Sequence, residues 1–295
     1  MGKKKITFIV NPVSGNQQGK KLIQLLDKEN PHPEFELTVM QTQFAEHAVQ
    51  LTKEALDKHA DYIIACGGDG TINEVAQQLI GKSTPLGIIP IGSGNGLATN
   101  LNLSKNLEIA IQDVFKLKTT TIDVGQFDDY YFFSNIGFGL DAEVINEYST
   151  AEEHTLTGYV KAFFNAYKKY HSRQLKLTID HHLHIEKEMF FLLCSNSNVA
   201  GYGITFTPQA TLSDGKLDLV AVEKLTLLEM FQFGFHVINQ SLDQFNRAQF
   251  FQLEHFTIES LDGPLIVQMD GEAFAFEKSN GEVKILKQAL NVLIP

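Results

Sequence analysis

The stretch that decides the fold runs Asp61-Tyr-Ile-Ile-Ala-Cys66, then Gly67-Gly68-Asp69-Gly70-Thr71, then a helix-like segment from Ile72 to Ile80. An apolar, partly β-branched run reads as a strand, and apolar spacing after Thr71 reads as a helix. Between them lie three glycines, whose missing Cβ atoms let backbone N–H groups close on a phosphate at the positive end of the helix. Thr71 and Glu74 have capping-box spacing, which marks the helix start. A tight βα turn without ligand would also accept the glycines. Asp69 is harder to place in a bare turn, because a carboxylate repels phosphates unless a divalent cation intervenes, so the turn suggests nucleotide with Mg²⁺.

Working outward, strand and helix alternate up to about residue 120: Ile6–Val10, a helix near Gly19–Leu26, Phe35–Met40, a helix near Ala45–His59, Tyr62–Cys66, the Ile72–Ile80 helix, Leu86–Ile89 and a helix around Leu107–Phe115. That order implies a parallel sheet covered by helices. After Thr119 the pattern changes to β segments with short turns, among them Ile122–Phe127, Tyr131–Ile136, Met189–Cys194, Leu217–Val222, Phe256–Ser260 and Glu282–Leu286, as expected of an antiparallel sheet or sandwich. Two helical insertions, Leu156–Tyr170 and Leu225–Ser241, interrupt it. The expected division is an α/β domain over 1–120 and a β domain over 121–295.

With 295 residues, 43% of them hydrophobic, the chain can bury two cores. No run approaches 18 apolar residues, and Met-Gly-Lys-Lys-Lys leads into a short strand, so neither a transmembrane helix nor a signal peptide is expected. Cys66 and Cys194 end apolar runs with no metal-ligand spacing, which reads as a reducing cytoplasm. A net charge of −11 opposes nucleic acid as a partner. Phe163-Phe164-Asn-Ala-Tyr167-Lys168-Lys169-Tyr170 interleaves aromatic and cationic residues; it suits either a transient membrane-surface contact or a half-buried helix with its lysines in water. Nothing in the sequence sets an oligomeric state.

Further segments bear glycine or acid. Asn11-Pro12-Val13-Ser14-Gly15 follows the first strand, where an open α/β sheet presents loops to ligand. Gly15-Asn-Gln-Gln-Gly19-Lys20-Lys21 is one residue too short for a P-loop and has Lys21 where Ser or Thr is required; Gly92-Ser93-Gly94-Asn95-Gly96-Leu97 lacks the last glycine of a dinucleotide fingerprint. Asp214-Gly215 and Asp270-Gly271 are each a hairpin signal, and Asp270-Gly271-Glu272 also fits a base and its orienter. Asp180-His181-His182-Leu183-His184 reads as a solvated turn, while His47 opens a helix near the ligand end of the sheet and is either a nucleotide contact or a first-turn polar residue.

In order along the chain stand Asn11 to Gly15, Thr42 with His47-Ala48, Gly67-Gly-Asp-Gly-Thr-Ile-Asn-Glu74, Pro90-Ile-Gly-Ser-Gly-Asn95, Asn135-Ile-Gly-Phe-Gly139, Asp214-Gly-Lys-Leu-Asp218 and Asp270-Gly-Glu272. Together they resemble the diacylglycerol kinase catalytic-domain family, which includes sphingosine and ceramide kinases and bacterial soluble lipid kinases. The resemblance implies an N-terminal parallel α/β nucleotide-binding domain and a C-terminal antiparallel β-sandwich, the fold of NAD kinases and diacylglycerol kinases. By the same resemblance Asn11, Pro12, Val13, Ser14, Gly15, Thr42, Gly67, Gly68, Asp69, Gly70, Thr71, Ile72, Asn73 and Ser93 would line ATP. Asp214 with the carbonyls of Thr211 and Lys216 would hold Mg²⁺, and Asp69 would reach the cation through water. Glu272 would be the general base that takes the proton of a lipid hydroxyl, with Asp270 its close neighbour. The implied activity is phosphoryl transfer from ATP to a diacylglycerol or sphingoid-type acceptor at a membrane surface. An NAD-kinase-like phosphotransferase and a silent nucleotide- or lipid-binding protein are the other readings. The family's Asn-Asp pair is replaced by Asn95-Gly96, and the segment after Leu286 is short, so any return to the first domain would be abbreviated.

Overall fold

Alternating apolar side chains set the first unit. In a computed structural model of the chain, which describes residues 2–27, 32–92, 94–149, 156–198 and 205–295, two compact units separate, Met1–Ile122 with Gln288–Pro295 and Asp123–Lys287. The first contains β1 (Lys4–Val10), α1 (Ser14–Asp27), β2 (Phe35–Gln41), α2 (His47–Asp57), β3 (Tyr62–Gly67), α3 (Asp69–Leu79), β4 (Leu86–Pro90), α4 (Gly96–Asn100) and α5 (Leu107–Phe115). The strands are parallel in the order β2-β1-β3-β4. Ile6, Phe8 and Val10 of β1, Ile64 and Cys66 of β3 and Ile89 of β4 pack with Leu22 and Leu26 of α1 and Ala110 and Val114 of α5.

The second unit takes the rest of β5 (Thr119–Phe127), then β6 (Tyr130–Phe132), β7 (Asn135–Gly139), α6 (Leu140–Ser149), α7 (Leu156–Lys169), β8 (Arg173–Ile179), β9 (Leu183–Ser195), β10 (Leu217–Glu223), α8 (Leu227–Ile238), β11 (Ala248–Leu253), β12 (His255–Ser260), β13 (Val267–Met269), β14 (Glu272–Phe274) and most of β15 (Asn280–Leu293). Its pairings are antiparallel. β9 is the hub: Leu183–Met189 pairs with β8, while its C-terminal half pairs with β7 and with β10. Side chains alternate between two cores. Leu192 and Cys194 of β9 and Leu219 and Ala221 of β10 join Phe256, Ile258 and Val283, whereas Phe191, Leu193, Val220 and Val222 meet Leu140, Ala162, Ala166, Met230 and Phe233 of α6, α7 and α8. A bulge opposite Val222 and Glu223 inserts Phe190, so consecutive Phe190 and Phe191 both reach the helix-covered face.

Several expectations change. The last eight residues lie with the first unit, where Val292 pairs parallel with Leu86 and Leu293 enters the core. Leu140–Ser149 is a helix that strand-like flanks concealed. Asp214-Gly215 is no hairpin turn, since residues 205–212 form no strand before it. The aromatic-basic pattern of α7 is mostly turned inward: Phe163, Tyr167 and Tyr170 pack on the sheet side, and Phe164 is left exposed. Phe138 and Phe206 are core residues, as their apolar setting leads one to expect, and the partly buried Phe274 and Phe276 pack on the same core as Phe138. Cys66 and Cys194 are buried free thiols, and burial pushes both well above the ordinary thiol range. No helix among the described residues is long and apolar enough to cross a membrane.

Candidate active site

In the first unit, four loops leave the C-terminal ends of β1 to β4 and are tied together through backbone. Asn11 N donates to Cys66 O at 2.9 Å, Thr42 N to Val10 O at 2.9 Å, and Ile91 N to Gly67 O at 3.0 Å. Asn11 also works through its side chain: Oδ1 accepts from Val13 N at 3.1 Å and Nδ2 donates to Thr71 Oγ1 at 3.4 Å. The turn after β1 is thus joined to the glycine turn after β3. Gly15, Asn16 and Gln17 have φ of 61°, 49° and 72°, so regular helix begins only after them. A Cβ on Gly15 would collide with the carbonyl oxygen of Ile91, and one on Gly92 with Gly68 Cα, so these loops approach backbone to backbone.

Asp69 opens α3, where a carboxylate meets the positive end of the helix. Its Oδ2 accepts from Asn95 N and its Oδ1 from Gly96 N, both at 2.7 Å. Asn95, in the left-handed conformation at φ 57°, closes the same loop through Gly92: Oδ1 accepts from Gly92 N at 3.1 Å and Nδ2 donates to Gly92 O at 2.5 Å. Asp69 therefore holds Asn95 and Gly96 at the start of α4, a role its place among the glycines did not suggest. The expected capping box is not formed. α3 starts three residues earlier, and Glu74 instead accepts from Glu46 N at 3.0 Å and Ala48 N at 3.1 Å, capping α2 from outside. His47 Nδ1 accepts from Gln43 N at 3.1 Å and its ring stacks on Phe44, holding that entry turn. Ile72 is buried and its N donates to Gly68 O at 3.0 Å, whereas Val13 stands 76% exposed. Ser93 lies outside the described residues.

The second unit carries the other candidates. Asp270 and Gly271, with φ of 51° and 83°, form the two-residue turn between β13 and β14, with Met269 paired to Glu272. Asp270 clamps the start of β7: Oδ1 accepts from Phe133 N, Ser134 N and Asn135 N at 3.1, 2.7 and 3.2 Å, and Oδ2 from Phe133 N at 2.9 Å. Asp270 N returns a bond to Asn135 O at 2.9 Å, and Gly271 N donates to Gln268 Oε1 at 2.9 Å. Buried Gln268 spends its amide nitrogen on Asn135 Oδ1 at 2.8 Å and Asp141 Oδ2 at 2.7 Å. Burial pushes the Asp141 carboxyl up to about 6 against that amide's opposing pull. Glu272 is exposed, one residue past this heavily fixed turn.

The Asp214 loop is fixed from below. Asp214 Oδ1 accepts from Lys216 N at 3.0 Å, Gly215 N donates to Asp123 Oδ2 at 2.7 Å, and Asp123 N donates to Leu212 O at 2.7 Å. Asn196, fully buried, donates from Nδ2 to Asp123 O at 2.9 Å and Phe133 O at 3.0 Å. One hydrogen-bonded path therefore runs from the Asp214 loop through Asp123, Asn196 and Phe133 to Asp270. Sequence reading missed Asp123, Asn196 and Gln268; the one available signal was a polar residue within or just after an apolar strand.

As for a cation, the exposed Asp214 carboxylate and the carbonyls of Thr211 and Lys216 are hard oxygen donors of the kind Mg²⁺ takes. Nearby, Asp218 Oδ2 is buried without a hydrogen-bond partner, and burial followed by the Asp214 charge pushes its carboxyl up to about 6, against the Gln252 amide. A cation beside Asp214 would relieve that crowding of negative charge, so the donor set fits. Among the described residues no three His, Cys, Asp or Glu side chains gather as a self-sufficient metal cage, so phosphate and water oxygens would complete the shell.

Parallel α/β and antiparallel β-sandwich-like units of this kind define the class of fold shared by diacylglycerol kinases and NAD kinases. Residues 5–127 match the diacylglycerol kinase catalytic domain, and residues 134–294 match the YegS C-terminal NAD kinase β-sandwich-like domain. The chain belongs to the diacylglycerol kinase family and is an enzyme of the kinase class. It is 30% identical over 239 residues to a diacylglycerol kinase of Bacillus subtilis, covering 77% of this chain and 76% of the relative, and 27% identical over 234 residues to one of Staphylococcus saprophyticus, covering 77% and 76%. In fold it is similar to a crystal structure of a diacylglycerol kinase from Bacillus anthracis, with a TM-score of 0.74 at 21% identity covering 99% of this chain and 97% of that one. An NAD kinase from Archaeoglobus fulgidus in complex with ATP gives a TM-score of 0.50 at 12% identity, covering 98% and 93%.

Proposed function

We propose that the chain transfers the γ-phosphoryl group of ATP to the hydroxyl of a diacylglycerol or sphingoid-type lipid, with Mg²⁺ as cofactor and Glu272 as general base. The observation that carries this reading is the exposed Glu272 carboxylate one residue past a turn whose backbone Asp270 and Gln268 hold fast. A lipid hydroxyl ionises far above pH 7, so a carboxylate within hydrogen-bond reach must take its proton as the phosphoryl group leaves ATP. In this reading Glu272 would do so, and Asp270, bonded to three backbone N–H groups, would position it.

Asn11 to Gly15, Thr42, Gly67 to Asn73 and Ser93 would line ATP, their loops aligned by Asn11 and Asp69 at the C-terminal ends of the parallel strands. Asp214 with the carbonyls of Thr211 and Lys216 would hold Mg²⁺. When bound, the cation would neutralise charge on the transferring phosphoryl group. The chain's two arginines, Arg173 and Arg247, lie outside every one of these loops, so lysine and backbone N–H groups supply the remaining neutralisation. Buried free thiols fit a reducing cytoplasm, where the lipid would be met at a membrane face.

The test is a panel assay of purified protein with Mg-ATP and diacylglycerol, monoacylglycerol, sphingoid bases or NAD, with products identified by mass. A phosphorylated lipid is expected; ADP release with NAD alone, or with no acceptor at all, would overturn the proposal.

A further inference from the structure

One exposed surface has no role in the chemistry above. α8 sits on the helix-covered face of the second unit, its inner side formed by Met230 and Phe233, with Phe233 edge-on to Phe191 at 5.6 Å. Its outer side is equally apolar. Leu228, Phe231, Phe235 and Ile238 are 69%, 64%, 63% and 82% exposed, and their i, i+3, i+7, i+10 spacing sets them on one narrow stripe about 15 Å long. Gly234 opens onto free space. The helix is well specified: Thr226 and Glu229 form a full capping box. Ala248 packs on the same core, and Phe250, two residues on in β11 and 38% exposed, points to the same face of the sheet.

We propose that this stripe inserts into the interfacial layer of a lipid bilayer. Charge points to the apolar layer as the occupant: Lys187 is paired to Glu223, Lys224 to Glu188 and Arg247 to Glu229, which leaves no cationic patch for an acidic partner and only the exposed Asp243, in the turn after α8, for a basic one. Area argues against a second copy. Large apolar side chains bury on the order of 150–250 Å² each, so four at about two-thirds exposure present roughly 500 Å², below the roughly 800 Å² per partner of a standard specific interface. Twelve residues of helix reach about 18 Å, too short to cross the bilayer, and the inner side is already bound to the sheet. What remains is shallow insertion parallel to the membrane plane. Resting on the lipid-kinase reading, the proposal gives α8 the task of holding the enzyme where its water-insoluble acceptor is concentrated.

Insertion of uncharged side chains is insensitive to salt, whereas attraction through the lysines of α7 is screened. The experiment is co-sedimentation with phosphatidylcholine vesicles at low and high salt for the wild type, the F231S/F235S double variant and F164S on α7, alongside thermal unfolding, size exclusion and kinase assays on vesicle-borne and short-chain water-soluble acceptors. Wild type and F164S are expected to bind at both salt levels. The double variant should bind at least tenfold more weakly, lose turnover on vesicles in proportion, and keep its melting temperature and its rate on the soluble acceptor. Equal vesicle binding by the double variant, no vesicle binding by wild type, or a wild-type dimer that the double variant turns into monomer would each overturn the proposal. Vesicle binding that follows this pattern without turnover on any acceptor would leave the docking surface standing and remove the kinase reading instead.

Discussion

Replacing Asp270 should separate its role as a clamp from chemistry at Glu272. Asp270→Ala removes the acceptor of three consecutive N–H groups, on Phe133, Ser134 and Asn135, residues exposed by 0%, 5% and 3%. A buried donor left without partner costs about 1–3 kcal/mol, and partial access of water to the turn favours the low end, giving about 3–5 kcal/mol in all. That corresponds to a fall in melting temperature of about 10 °C for a protein of this size. Asp270→Asn keeps an oxygen where Oδ1 now accepts its three bonds, and loses the 2.9 Å bond from Phe133 N to Oδ2 together with the charge, for about 1–2 kcal/mol. The order of stability is therefore wild type, then D270N, then D270A, read by calorimetry or by urea midpoint. Both variants let Glu272 wander, so kcat should fall about 10- to 100-fold while KM for ATP stays put. A D270A protein melting within about 2 °C of wild type, or a D270N protein melting below it, would refute the reasoning.

Three other outcomes follow. Glu272→Gln should lower kcat by about 10² or more while the protein still unfolds in one cooperative transition; a wild-type rate would remove it as base. Asp69→Asn turns one amide N–H₂ toward a loop N–H, so KM for ATP should rise about tenfold or more at little cost to overall stability, and an unchanged KM would sever Asp69 from the nucleotide loop. For Asp141 the folded carboxyl titrates near 6 against 3.8 in the unfolded chain, so its stabilising effect is fully present below 3.8 and lost as pH rises toward 6, by about 3 kcal/mol. Asp141→Asn does not titrate, so its stability relative to wild type should climb from pH 4 to pH 6 and then level; a difference that is flat with pH would contradict the burial argument.

What the sequence made legible is what local pattern can carry. The βα alternation up to Phe115 and the strands Tyr62–Gly67 and Leu217–Glu223 follow from apolar periodicity, and the two glycine turns from residues that only close backbone approach explains. Partnership was not legible. Glu74 has capping-box spacing with Thr71, yet it bonds Glu46 and Ala48, which a neighbouring loop brings nearer than its own helix start. That Asp69 bonds Asn95 N and Gly96 N was not legible either, since those partners lie 26 and 27 residues away. Asp123 and Asn196 carry no motif at all, because their bonds span 92, 73 and 63 residues and only the folded sheet makes them neighbours. The stripe on α8 was legible as a helix, but an apolar helix does not say in its sequence which of two apolar faces the sheet will cover.

The last strand, β15, gives Asn280–Lys287 to one unit and Gln288–Leu293 to the other. In the logic of synthesis, the second unit is an insertion within the first. Residues up to 122 emerge from a ribosome early but keep β4 as a raw edge, since the stretch that pairs Val292 with Leu86 is made about 200 residues later. The inserted unit has all its strands by residue 287, so it is complete while its host is not. Folding of the nucleotide half thus closes last although it is made first, and a fragment ending at residue 122 would be born with an open, apolar edge that invites pairing with its own copies.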